Sequence, residues 1–153
     1  MEISLDTAER LTGLSRRSLR RRLATEMPRQ ERSDAVDRGC IPLAAVRADI
    51  PAALQPEDDE VIIRADQGEA EAQNDVALIL MDADRYDLAI HWLRLAARQE
   101  YPDAMHWLGR CYVSGQGVDK DEQEGMAWIR RAAEHGHVIS QAQVRAMDGD
   151  PDP

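Results

Sequence analysis

Two twelve-residue stretches of this chain are variations on one pattern. AIHWLRLAARQE (residues 89–100) and GMAWIRRAAEHG (residues 125–136) place Trp92 on Trp128, Leu93 on Ile129, Arg94 on Arg130 and Ala96-Ala97 on Ala132-Ala133, all 36 positions apart. The segments before them also match. EAQNDVALIL, from Glu71, aligns with DAMHWLGRCY, from Asp103, at an offset of 32, so the second unit carries four extra residues within SGQGVDKD, residues 114–121. Each unit reads as two helices joined by a turn, too small to bury its apolar face alone, and must therefore stack on its neighbour. Val61–Gln67 supplies the end of a preceding second helix and Ser140–Met147 a following first helix. The composition fits such a stack. It is 43% hydrophobic but holds only three Trp, three Tyr and no Phe, so packing relies on Leu, Ile, Val, Ala and Met, which suit close-packed helices better than sheets.

The second unit resembles a Sel1-like repeat, a relative of the tetratricopeptide repeat. The pattern is met at Ala104, Leu108-Gly109, Tyr112, Gly115, Gly117-Val118, Asp121, Trp128, Ala132-Ala133 and Gly136. Gly125 stands where Ala is usual, and the first unit lacks the glycine loop. The resemblance implies a short α-solenoid over residues 60–147 that binds a protein partner, or a second copy of itself, along its concave face. First helices usually line that face, which makes Gln73, Asn74 and His106 the candidate contacts. Trp92, Trp107 and Trp128 are expected as core knobs, and Cys111 as a buried thiol. His91, His106, His135 and His137 are expected to face solvent or cap helix ends, because none has Cys or carboxylate partners at metal-ligand spacing.

The rest of the chain has a different electrostatic character. Residues 1–55 hold ten basic and eight acidic side chains; residues 56–153 hold nine basic and twenty-one acidic, within a total net charge of −10. Such asymmetry predicts different partners for the two parts. Five arginines fall between positions 16 and 22, in GLSRRSLRRRLA, residues 13–24. Upstream, Leu5, Ala8, Leu11 and Leu14 mark a first helix, with Asp6 or Thr7 as N-cap and Gly13 as the break. Ser15 then caps a second helix running to about Thr25. Two short helices joined through glycine predict a helix-turn-helix. Leu19 and Leu23 define its buried side, Arg17, Ser18 and Arg21 face away, Arg20 and Arg22 flank them, and Arg16 sits at the exposed N-terminal end. Arginine's planar fork suits both guanine edges and phosphates.

TAERLTGLSRRSLRRRLA is similar to the helix-turn-helix of the excisionase/MerR-like winged helices, and less completely to the first motif of AraC-type regulators. The resemblance implies a wing after the motif. MPRQERSDAVDRGCIPLAAVRADI reads on that basis as strand, turn, strand and short helix, with Arg29, Arg32 and Arg38 available to phosphate.

The fold class expected is therefore mainly α: a small N-terminal winged helix-turn-helix (1–50), a linker bracketed by Pro51 and Pro56 (51–59), a Sel1-like solenoid (60–147) and a fraying tail (148–153). No catalytic constellation, phosphate-binding loop, cofactor motif, leader or membrane-length apolar run is visible, and Cys40 and Cys111 read as free cytoplasmic thiols. The function expected is a non-enzymatic bacterial DNA-binding adaptor or transcriptional regulator. Its partners would be double-stranded DNA, a protein on the repeats and, because one such module is small, a second copy of the chain. The competing expectation is an adaptor for secretion, signalling or immunity that never touches DNA and docks an acidic protein through the same arginines.

Overall fold

The computed structural model describes residues 1–149. Of the tail expected to fray, 150–153 lie outside the described residues, while Asp148 accepts two hydrogen bonds from the Arg130 guanidinium at 2.8 and 3.1 Å.

The chain opens with a strand, β1 (Glu2–Ser4), that runs into helix α1 (Leu5–Thr12). Ser4 is the N-cap, its Oγ accepting the Thr7 N–H at 3.1 Å, upstream of the Asp6 or Thr7 expected for that role. Gly13 ends α1 at φ +74°, a left-handed conformation in which a side chain would be strained. Ser15 caps helix α2 (Arg16–Glu26) by accepting from the Ser18 N–H, as its position predicts. Leu19 and Leu23 are fully buried and join Leu5, Ala8 and Leu11 of α1 in the core.

The expected wing is not formed. Residues 29–38 are helix α3 (Arg29–Arg38), and only a three-residue strand, β2 (Cys40–Pro42), follows. The segment RQERSDAVDR has one β-branched residue and no alternation, whereas Arg, Gln, Glu and Ala are good helix formers. Gly39 stops the helix in the left-handed region, its N–H donating to Ala35 and Val36 carbonyls. With no hairpin available, β2 pairs antiparallel with β1, Ile3 opposite Ile41, both fully buried. The unit closes with helix α4 (Leu43–Val46) and a 3₁₀ turn, Arg47–Asp49.

After an irregular stretch every element through Met147 is a helix: α5 (Asp58–Asp66), α6 (Ala70–Asp82), α7 (Tyr86–Arg98), α8 (Pro102–Ser114), α9 (Glu122–Glu134) and α10 (Val138–Met147). Asp58, Asp59 and Glu60 form the first turn of α5, at the positive end of its dipole. Helices α6/α7 and α8/α9 are the two repeat units; α5 and α10 extend the stack at either side. Small residues set its spacing. Ala72, Ala77, Ala89, Ala96, Ala97, Ala104 and Ala132 are all buried, and α8 crosses α9 where Gly109 faces Gly125. A Cβ on Gly109 would sit 2.7 Å from the Gly125 carbonyl oxygen, and one on Gly125 would sit 2.6 Å from the Gly109 oxygen. The glycine that departs from the repeat pattern at 125 is thus matched to its neighbour.

The N-terminal unit packs directly on this stack. The buried Trp92 side chain on α7 donates its indole N–H to the Arg10 carbonyl of α1 at 3.2 Å. Ser4 donates from both N and Oγ to Asp66 Oδ1 of α5, at 3.2 and 2.7 Å. One hydrophobic cluster runs from Ile3 through Leu93 to Ala132.

Gly109→Ala is expected to destabilise by roughly 1–3 kcal/mol, because overpacking against the α9 backbone outweighs the helix-propensity gain of about 1 kcal/mol; urea unfolding measures the balance. Trp92→Phe leaves the Arg10 carbonyl without its donor and is expected to cost about 1 kcal/mol. Hydrogen exchange should then quicken in α1 more than in α9.

Candidate functional site

Residues 16–32 form a basic surface built on two helices. Arg16, Arg17, Arg20, Arg21 and Arg22 are exposed on α2, Arg17 and Arg21 opposite the Leu19/Leu23 side that anchors the helix, Arg20 and Arg22 on its flanks and Arg16 at its N-terminal end. Their surroundings differ. Arg16 pairs with Glu9 at 3.2 Å and Asp6 at 3.8 Å, and Arg22 with Asp49 at 2.6 Å. Arg17, Arg20 and Arg21 have no ion pair among the described residues. Ser18 is half-buried and its Oγ lies 3.1 Å from Ser15 Oγ, so its hydroxyl belongs partly to the cap. Ser18, Arg21 and Arg22 border one groove with Leu14 and Thr25, of about 320 Å³.

Helix α3 redistributes the three arginines assigned to a wing. Arg29 and Arg32 line a second groove with Arg20, Ala24 and Ser33, of about 370 Å³. Arg32 also donates to the Ala24 carbonyl at 3.3 Å, tying α3 to the end of α2. Arg38 lies apart from them, at the C-terminal end of α3, and pairs with Glu2 of β1 at 2.8 Å.

The three residues expected to face a protein partner do not reach the surface. Gln73, Asn74 and His106 are 4%, 1% and 2% exposed. Gln73 accepts from Gln99 Nε2 at 2.9 Å and donates to the Ala65 carbonyl at 3.4 Å, bridging α5, α6 and the end of α7. Asn74 donates to Asp103 Oδ2 at 3.0 Å, linking α6 to α8. His106 lies 2.8 Å from Ser140 Oγ and stacks on His137 at 4.3 Å between ring centres. These side chains hold consecutive repeats in register.

The same cluster defines the start of α10. His137 is its N-cap, Nδ1 accepting the Ser140 N–H at 3.1 Å, so Nε2 carries the proton that points to Asp103 Oδ1 at 3.1 Å. Burial, with the neighbouring His137 and Arg110, pushes the His106 pKa from 6.5 down to about 4, although Asp103 opposes it. His106 is therefore a neutral structural imidazole. Ser140 beside it is fully buried, which leaves no access for a nucleophile.

Position-by-position comparison of the repeats reveals a site that spacing alone did not show. Of the three tryptophans expected as core knobs, only Trp92 is fully buried; Trp107 and Trp128 are half-buried. Each carries an arginine one turn on: Arg110 lies 5.1 Å over Trp107, and Arg131 lies 4.6 Å over Trp128. The Trp-x-x-Arg spacing was the available signal. Trp107 and Arg110 border a cavity of about 300 Å³ with Met81, Tyr86, Ile129 and Gln143, contributed by α6 to α10. Cys111 also borders it, but burial raises its thiol pKa to about 11, so it stays protonated.

The architecture of residues 58–147, antiparallel helix pairs stacked side by side, is that of an α-solenoid. The family model for the Sel1 repeat matches residues 70–101 and 102–137, which are α6/α7 and α8/α9 with their turns. Residues 70–137 accordingly comprise two Sel1 repeats, a module that serves protein–protein interaction. The match does not extend into the N-terminal unit. A search of curated proteins finds no match to the chain. No helix among the described residues is long and apolar enough to cross a membrane.

Because the folded pKa of His106 lies below its unfolded value, its contribution to stability is complete above about pH 6.5 and is lost as pH falls toward 4. By pH 5 the loss attributable to this side chain is about 2 kcal/mol. Urea midpoints at pH 7 and pH 5 test it: the drop should shrink in His106→Asn relative to the wild type.

Proposed function

We propose that the protein is a non-enzymatic cytoplasmic adaptor that binds duplex DNA through α2 and a protein partner through its repeats. The observation that carries this reading is the set of exposed arginines Arg17, Arg20 and Arg21, without ion pairs among the described residues, on a helix whose opposite side is pinned by two fully buried leucines. A helix held this way keeps its arginines in fixed register, which is what a major groove requires of a recognition helix. Arg17 and Arg21 would meet base edges, where each bidentate pairing with guanine is worth about 1–3 kcal/mol. Arg20, Arg29 and Arg32 share a groove one phosphate can enter. Arg16, Arg22 and Arg38 are themselves exposed in their pairs with Glu9, Asp49 and Glu2; surface pairs are worth about 0–1 kcal/mol and would exchange for phosphate.

Charge supports the division of labour. The repeat part, with twenty-one acidic and nine basic side chains over residues 56–153, is repelled by a polyanion, so a duplex would be confined to the N-terminal unit. The packing of α1 on α7 would then fix the orientation of the repeats relative to the DNA. A unit this small has little surface for tight specific binding. Two copies of the chain reading half-sites about 10 base pairs apart would supply the remainder.

The test is selection of full-length protein against a random duplex pool, followed by anisotropy titrations across salt. An enriched motif, a steep salt dependence and loss of motif preference in Arg17→Ala/Arg21→Ala are expected. Arg20→Ala/Arg29→Ala should weaken all sequences alike and reduce the log–log salt slope by about 2. A protein that enriches no motif and binds duplex no better than other polyanions is instead an adaptor whose arginines dock acidic protein.

A further inference from the structure

The cavity beside Trp107 has a chemistry of its own. Arg110 is exposed at its edge and has no ion pair among the described residues, although the repeat part is rich in acid. Elsewhere in the stack Arg64, Arg85, Lys120 and Arg130 each hold a carboxylate, and of the arginines that hold none among the described residues Arg110 is the one that borders this cavity. Arg110 instead lies over the Trp107 ring, which fixes the guanidinium plane while leaving its N–H donors uncommitted to any acid. Across the cavity Gln143 has a buried amide oxygen, Oε1, with no hydrogen-bond donor in reach. Buried polar atoms are normally satisfied. The remaining walls are mixed, with apolar surface from Met81, Tyr86 and Ile129 and polar groups from Ser114 and Gln116.

We propose that this cavity takes an extended peptide segment of a partner protein, with a single Asp or Glu side chain held by Arg110 and an adjacent apolar side chain packed against Trp107 and Met81. Extended backbone presents N–H groups, one of which would donate to Gln143 Oε1. A carboxylate matches the planar fork of Arg110. The surrounding acidity limits the ligand to one such charge: a run of acids or a nucleic-acid backbone would be repelled by the rest of the stack. The volume, about 300 Å³, accommodates one or two side chains and not a helix. The assignment rests on reading the repeats as protein-binding and names what they would bind.

The probe is a phage-displayed library of random twelve-residue peptides, selected on immobilised full-length protein with counter-selection on Arg110→Glu. Enriched peptides should carry one acidic residue next to Leu, Ile, Met or an aromatic. A synthetic peptide from that pool should bind at least tenfold more weakly to Arg110→Ala and about fivefold more weakly to Gln143→Met, by calorimetry. The thermal midpoint of Gln143→Met should not fall, because that change removes an unpaired buried atom; a purely structural glutamine would show the opposite. Enriched peptides without an acidic preference, or with affinities indifferent to both variants, overturn the cavity assignment and leave the repeats as a binding module with another site. Failure of the full-length protein to enrich any peptide overturns both.

Discussion

The contact between Gly109 of α8 and Gly125 of α9 sets the spacing on which the rest of the repeat stack depends. Neither helix carries a side chain at the crossing, so the two backbones meet, and the alanines along the neighbouring seams continue the close approach through the stack. Leu93, Leu108 and Ile129 are all buried in the stack. Close approach also brings polar side chains within hydrogen-bonding distance across repeats, where Asn74 meets Asp103 and His106 meets Ser140. Hydrophobic burial supplies the driving force; these polar contacts choose one register from several that apolar contact alone would permit.

One repeat position has been put to two uses. Trp92 and Trp128 occupy equivalent places on α7 and α9, yet their indole N–H groups have different acceptors. Trp92 is sealed beneath α1 and joins the N-terminal unit to the stack through the Arg10 carbonyl. On α9 Arg131 lies over the half-buried ring, and the indole N–H turns to Glu124 of its own helix at 3.1 Å. The N-terminal unit thus seals the tryptophan of the first repeat, while its equivalent in the second stays half-buried. The coupling has a functional consequence under the proposed reading: α2 and the Trp107 cavity belong to one connected body, so occupancy of one site fixes where a ligand of the other is held.

Electrostatics separates those two sites. The arginines of α2 are clustered against a background that is otherwise negative, and the three without ion pairs sit together on one helix. Within the acidic part Arg110 and Arg131 are each held over an aromatic ring in place of a carboxylate, and of the two it is Arg110 that borders the Trp107 cavity. A clustered charge favours a polyanion, whereas an isolated one favours a single acid. The distribution of nineteen basic side chains, and not their total, distinguishes the kinds of ligand each surface could take.

Much of this was legible in the residues themselves. The offsets of 36 and 32 place every helix of the two repeats, Gly13 and Ser15 mark the turn and cap before α2, and Leu19 and Leu23 define its inner side. These features are local or periodic, and local periodicity is what a sequence carries directly. The tertiary structure decided the rest. Residues 29–38 became helix where a family resemblance implied a wing, because their own propensity and Gly39 outweighed the analogy. Gln73, Asn74 and His106 went inside because polar side chains on inward helix positions found partners on adjoining helices, and those partners are 26, 29 and 34 residues away. Periodicity assigns a residue to a side of its helix; whether that side meets water or a hydrogen-bonding neighbour depends on the element packed against it, which no single segment specifies.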